Sequence, residues 1–103
     1  MKKIIFLSFS IFLFYNYLNA FSVGEKIFKE RCYSCHGESA ELNAFGHSRK
    51  IAGWHPRRIE RILNDYKRGT YGGRMADVMQ EQVADLSPYE MRSLAEYISY
   101  LGR

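Results

Sequence analysis

Two cysteines separated by two residues and followed at once by a histidine, Cys32-Tyr33-Ser34-Cys35-His36, restrict this chain more than any other feature it has. The pattern C-x-x-C-H is the covalent attachment signature of c-type haem. The spacing has a mechanical reason. Each sulfur adds to one vinyl group of the porphyrin, and the two intervening residues carry the backbone across that edge. The next side chain, His36, is thereby brought under the ring, where an imidazole nitrogen binds iron. Its second nitrogen is expected to donate to a backbone carbonyl, which fixes the tautomer. Two other chemistries use closely spaced cysteines. A thiol-exchange pair opens a helix after a strand, and no strand pattern precedes Cys32. Zinc takes four ligands, and only His47 and His55 are available besides the motif, at irregular spacing.

The chain is 103 residues long, and residues 1–20 read as a secretory signal peptide. Lys2 and Lys3 form a basic start, Ile4 to Leu13 is apolar apart from Ser8 and Ser10, and Leu18-Asn19-Ala20 offers a small residue before a cut. Cleavage after Ala20 leaves 83 residues (21–103), one domain carrying one haem, in the periplasm. The alternative is an uncleaved anchor, for which the apolar run barely reaches the ~20 residues a span needs. So small a domain buries little surface and has marginal stability. Cys32 and Cys35 lie too close together for a disulfide to brace it. A porphyrin at the centre supplies the missing apolar body.

The pattern along residues 21–103 is helical throughout. Ser22-Val23-Gly24-Glu25 reads as a capping box that starts a helix from Val23 to Arg31, with Val23, Ile27 and Phe28 on its inner face. Gly37 to Trp54 lacks periodicity and reads as a long loop. Pro56 opens a second helix, Ile59, Ile62, Leu63 and Tyr66 form its apolar stripe, and Gly69 ends it. Arg74 to Val78 is expected to make one helical turn. Ser87-Pro88-Tyr89-Glu90 is another capping box, and the last helix runs to Leu101 with Met91, Leu94, Ala95 and Ile98 facing inward and Tyr97 alongside. The fold class is therefore all-α: three main helices plus a short turn wrapped around one covalently bound haem.

These residues resemble the class I c-type cytochromes, and within them the small bacterial cytochrome c-553 group. The resemblance rests on Gly24-x-x-x-Phe28 before Cys32-x-x-Cys35-His36-Gly37, on Tyr71-Gly72-Gly73, on Met79-x-x-x-Val83-x-x-Leu86-Ser87 and on Leu94-Ala95-x-Tyr97-Ile98. It implies a close crossing of the first and last helices at Gly24, beside Leu94 and Tyr97. From the residues alone the sixth iron ligand stays open among Met79, Met75, a histidine and none. Met91 belongs to the last helix's stripe, His47 and His55 read as solvent-facing loop residues, and Met79 ends the short turn, where the backbone is freer than at Met75. The resemblance selects Met79. Methionine is a soft neutral ligand that raises the potential above that of a bis-histidine iron. Trp54 and Tyr71 read as pocket or core aromatics.

His36 and Met79 together leave iron no vacant site, so the reading is a single-electron carrier and not an enzyme. A haem enzyme or gas binder with an open sixth site, and a haem subunit held in a larger redox complex, are the alternatives. Thirteen cationic against eleven anionic side chains after Ala20 give a net charge of only +2. The distribution is uneven: residues 49–74 carry +6 and residues 75–103 carry −3. Such asymmetry steers encounters with redox proteins. It does not suit nucleic acid. By resemblance the donor is a cytochrome bc complex and the acceptor a terminal oxidase, peroxidase or another reductase. A monomer without membrane contact after cleavage is expected.

Overall fold

The computed structural model describes residues 2–42 and 50–102, with the side chains of residues 2–8 and 17 excepted. Helix α1 (Lys2–Ile27) passes without a break into a π-helical turn (Phe28–Cys32) and a last turn, α2 (Tyr33–His36). Helices α3 (Pro56–Arg68), α4 (Ala76–Val83) and α5 (Pro88–Leu101) follow, and there is no strand among the described residues. The all-α expectation holds.

The ends of α3 and α5 fall where local chemistry puts them. Pro56 stands at the start of α3, and Gly69 closes it in the left-handed conformation at φ 74°. His55 is exposed, as expected, and its ring Nδ1 accepts the Arg57 N–H at 3.1 Å, a cap the sequence reading did not assign. Ser87 and Glu90 form the reciprocal capping box of α5 at 3.1 and 2.9 Å.

Two expectations are corrected. Ser22 caps nothing: it lies inside α1, because an N-cap needs non-helical backbone and the residues before it are helical. Glu25, freed from the box, pairs with Lys29 at 2.9 Å. The single turn expected at Arg74–Val78 is instead the eight-residue α4, which begins at Ala76 and runs to Val83. Met79 therefore sits within a helix, its N–H bonded to the Met75 carbonyl at 3.1 Å, and not on freer backbone at the end of a turn.

Helix α1 packs chiefly on α5, and α5 on α3. A Cβ built on Gly24 would overlap the Ser93 carbonyl, so only glycine permits the α1–α5 approach. Phe21 meets Tyr97 and Tyr100 edge-on with centroids at 5.3 and 5.1 Å, and Phe28 meets Tyr97 at 5.5 Å. Met91, Leu94 and Ile98 are fully buried along the inner stripe of α5. N-terminal to this crossing, Phe9, Ile11, Phe12, Leu13 and Phe14 are exposed. Among the described residues no helix is long and apolar enough to cross a membrane. Of the loop expected at Gly37–Trp54, residues 37–42 and 50–54 are non-helical; residues 43–49, with His47, lie outside the described residues. The Ala40 carbonyl accepts from both Ile51 and Ala52, at 3.3 and 3.1 Å, and joins the two described ends.

Candidate haem site

The attachment motif lies at the C-terminal end of the first helical run, not at a helix start. The π-helical turn widens the backbone over Phe28–Cys32 and delivers Cys32, Cys35 and His36 to one wall of a cavity of about 480 Å³. Gly37 then turns the chain away at φ 87°, where a Cβ would run into the Glu41 carboxylate. Helix α4 and the residues before it also line the cavity, with Met75, Val78, Met79 and Val83. Ile59, Ile62, Leu63 and Tyr66 of α3 and Leu94 and Ile98 of α5 add to the lining. Trp54 and Tyr71 line the cavity as pocket aromatics; Arg58 lies 3.9 Å over the Trp54 ring, and Tyr71 meets Tyr66 with centroids 4.6 Å apart and the rings tilted by 50°. Met91 is buried in the core and takes no part in the lining.

The volume falls in the range of small-molecule and cofactor sites, and the lining is mostly apolar. His36 is buried, and its Nδ1 has no hydrogen-bond partner among the described residues. The expected carbonyl is not hydrogen-bonded to Nδ1, although the Leu42 backbone lies near the ring and favours its protonated form. Burial lowers the pKa of His36, which favours the neutral imidazole that a metal requires. Burial pushes the Cys32 thiol up to about 12. A redox thiol is instead activated by a depressed pKa, usually at a helix N-terminus. Both position and ionisation thus turn Cys32 away from thiol exchange. Among the described residues no group of three or more His, Cys, Asp or Glu side chains is arranged to hold a bare metal ion. An apolar cavity with two thiols, an orphaned imidazole and two thioethers on its walls fits a porphyrin.

The cytochrome c family profile matches residues 21–102. This chain belongs to the cytochrome c family. As such it is an electron-transfer protein that carries covalently bound haem c, and its relatives place it in the class I, c-553 group. A cytochrome c-553 of Helicobacter pylori is 33% identical over 101 residues, 98% of this chain and 99% of the relative. A cytochrome c-553 of Nitratidesulfovibrio vulgaris is 32% identical over 78 residues, 76% of each chain. A cytochrome c-554(547) of Halothiobacillus neapolitanus is 32% identical over 88 residues, 78% of this chain and 94% of the relative.

The basic excess of residues 49–74 is partly spent within this cytochrome. Arg58 covers Trp54, Arg68 pairs with Asp65 at 2.8 Å, and Lys67 donates to the Leu86 carbonyl. Arg57 and Arg61 remain exposed on the side of α3 away from the cavity. The π-helical turn before the motif leaves no signal in residue spacing. Met75 and Met79 both line the cavity, as their four-residue spacing on a helix implies.

Proposed function

We propose that this cytochrome is a soluble monohaem single-electron carrier of the periplasm, with Cys32 and Cys35 as the thioether residues and His36 and Met79 as the axial iron ligands. The observation that supports the reading best is that Cys32, Cys35, His36 and Met79 all line a single, mostly apolar cavity. Bound there, the haem supplies one reversible electron at its iron. The protein's own residues do the rest. His36, neutral because it is buried, offers a nitrogen lone pair. The Met79 thioether is soft and uncharged, so it favours the reduced iron and raises the potential. Ile59, Leu63, Leu94 and Ile98 exclude water, which limits the reorganisation that accompanies a change of charge.

In the same reading residues 1–20 are the signal, removed after Ala20, and residues 21–103 are the mature domain. The exposed apolar surface of residues 9–14 supports this, since it has no place on a soluble carrier. Donor and acceptor are redox proteins. By resemblance the donor is a cytochrome bc complex, and the acceptor a terminal oxidase, peroxidase or reductase. A reduced-minus-oxidised spectrum of the exported protein tests the ligation: low-spin haem with a methionine-to-iron band in the ferric form is expected. High-spin haem would replace the carrier with an open-site haem protein.

A further inference from the structure

Arg31 stands one residue before Cys32, in the π-helical turn that delivers the attachment motif. Its guanidinium makes two hydrogen bonds to the Asp85 carboxylate, at 2.5 and 3.1 Å, and one to the Gln82 carbonyl at 3.1 Å. From the neighbouring helix α3, Lys67 donates its Nζ to the Leu86 carbonyl at 2.5 Å. Two cations from two different helices thus converge on one stretch, residues 82–86, where α4 ends. The carbonyls at a helix C-terminus carry partial negative charge, and residues 82–86 have no cation of their own to complement it.

This stretch begins three residues after Met79, and its buried Val83 and Leu86 line the same cavity as Met79. Arg31 lies five residues before His36. The bridge therefore joins two elements that line the same cavity, one bearing His36 and the other Met79. Helix α4 has eight residues and packs chiefly on α3, so apolar packing ties it only weakly to the element that bears His36. We propose that Arg31, assisted by Lys67, is a positioning clamp that keeps α4 at the separation where the Met79 thioether stays on iron. Loosening the clamp releases the methionine while the rest of the fold persists. The proposal rests on Met79 as the axial ligand.

An isolated exposed ion pair contributes little. A forked contact with an additional backbone acceptor is the geometry in which such a pair counts, although the Asp85 side chain is 70% exposed and screened. The test is an imidazole titration of the ferric holoprotein, followed through the methionine-to-iron absorption. In Arg31→Gln, imidazole is expected to displace the methionine at about five- to tenfold lower concentration than in the wild type. Asp85→Asn and Lys67→Met shift the titration the same way by less, and Arg31→Lys recovers part of the loss. Lys29→Gln, which breaks the exposed pair with Glu25 on the same helical run, titrates like the wild type.

A wild-type protein that lacks the methionine-to-iron absorption overturns the ligand assignment and the clamp with it. A wild type that shows the absorption, with Arg31→Gln titrating identically, overturns the clamp alone. Equal shifts in Arg31→Gln and Lys29→Gln overturn it too, because general charge loss then explains both. If Arg31→Gln yields no holoprotein, Asp85→Asn and Lys67→Met decide the matter in the same titration.

Discussion

Met79 and Met75 lie one helical turn apart and both line the cavity, so substitution separates them where position does not. Met79→Ala is expected to abolish the methionine-to-iron absorption and lower the potential, because water or a stray amine replaces a soft thioether. Met75→Ala should leave the spectrum intact and cost ~1–3 kcal/mol of packing, since the side chain is half-buried. Optical spectra and a potentiometric titration of the two variants check this. A spectral change that follows Met75 would move the ligand to the N-cap of α4. The cysteines make a separate prediction. Cys32→Ala or Cys35→Ala leaves at most one thioether, and the mass of the exported protein reports it; a wild-type mass with no added haem would contradict the attachment residues. At Gly24 a methyl group meets the backbone of Ser93, so Gly24→Ala must push α1 from α5. A loss of about 1–3 kcal/mol in chemical denaturation is expected.

Helix ends differ in how local their causes are. The start of α5 depends on Ser87, Pro88 and Glu90 alone, and those three residues suffice to read it. Ser87→Ala should cost about 1 kcal/mol, measurable by denaturant unfolding of the holoprotein. The Glu90 carboxylate accepts the Ser87 N–H, which holds its pKa below the ordinary 4.5. A depressed acid pKa adds stability that is present above the ordinary value and lost as pH falls through the depressed one. Glu90→Gln should therefore flatten the acid limb of the stability-against-pH curve, and an unchanged limb would show that the cap's charge is immaterial. The start expected at Ser22 shows the opposite case. Whether a serine caps a helix depends on what precedes it, and in the full chain helical residues do. The apolar pattern of residues 74–78 is brief and predicts an element shorter than α4. The second turn of α4 is fixed by packing on α3 and by the contacts at residues 82–86.

Seven of the twelve buried apolar residues among those described line the cavity: Ile27, Ile59, Leu63, Val83, Leu86, Leu94 and Ile98. The core of this molecule is thus largely the wall of its candidate haem site. Without haem these side chains lose their common partner, and helices of eight to fourteen residues do not persist alone in water. The haem-free protein is expected to be largely disordered, which far-ultraviolet circular dichroism decides. Near-native helix content would show that the α1–α5 crossing, with Phe21, Phe28 and Tyr97, is a sufficient core by itself.

The sequence by itself determined the chemistry of attachment and the all-helical class. C-x-x-C-H at Cys32–His36 works through covalent distances along one stretch of chain, and the stripes of α3 and α5 follow from helical period. The family resemblance, and not the residue pattern alone, pointed to Gly24 as a crossing point, and the group that demands glycine there is the Ser93 carbonyl. Tertiary structure decided which residues share the cavity with His36, where α4 runs, and which cations are engaged with other residues. Those outcomes depend on contacts between residues far apart in the chain, such as Arg31 with Asp85 and Lys67 with Leu86, and no local pattern encodes them.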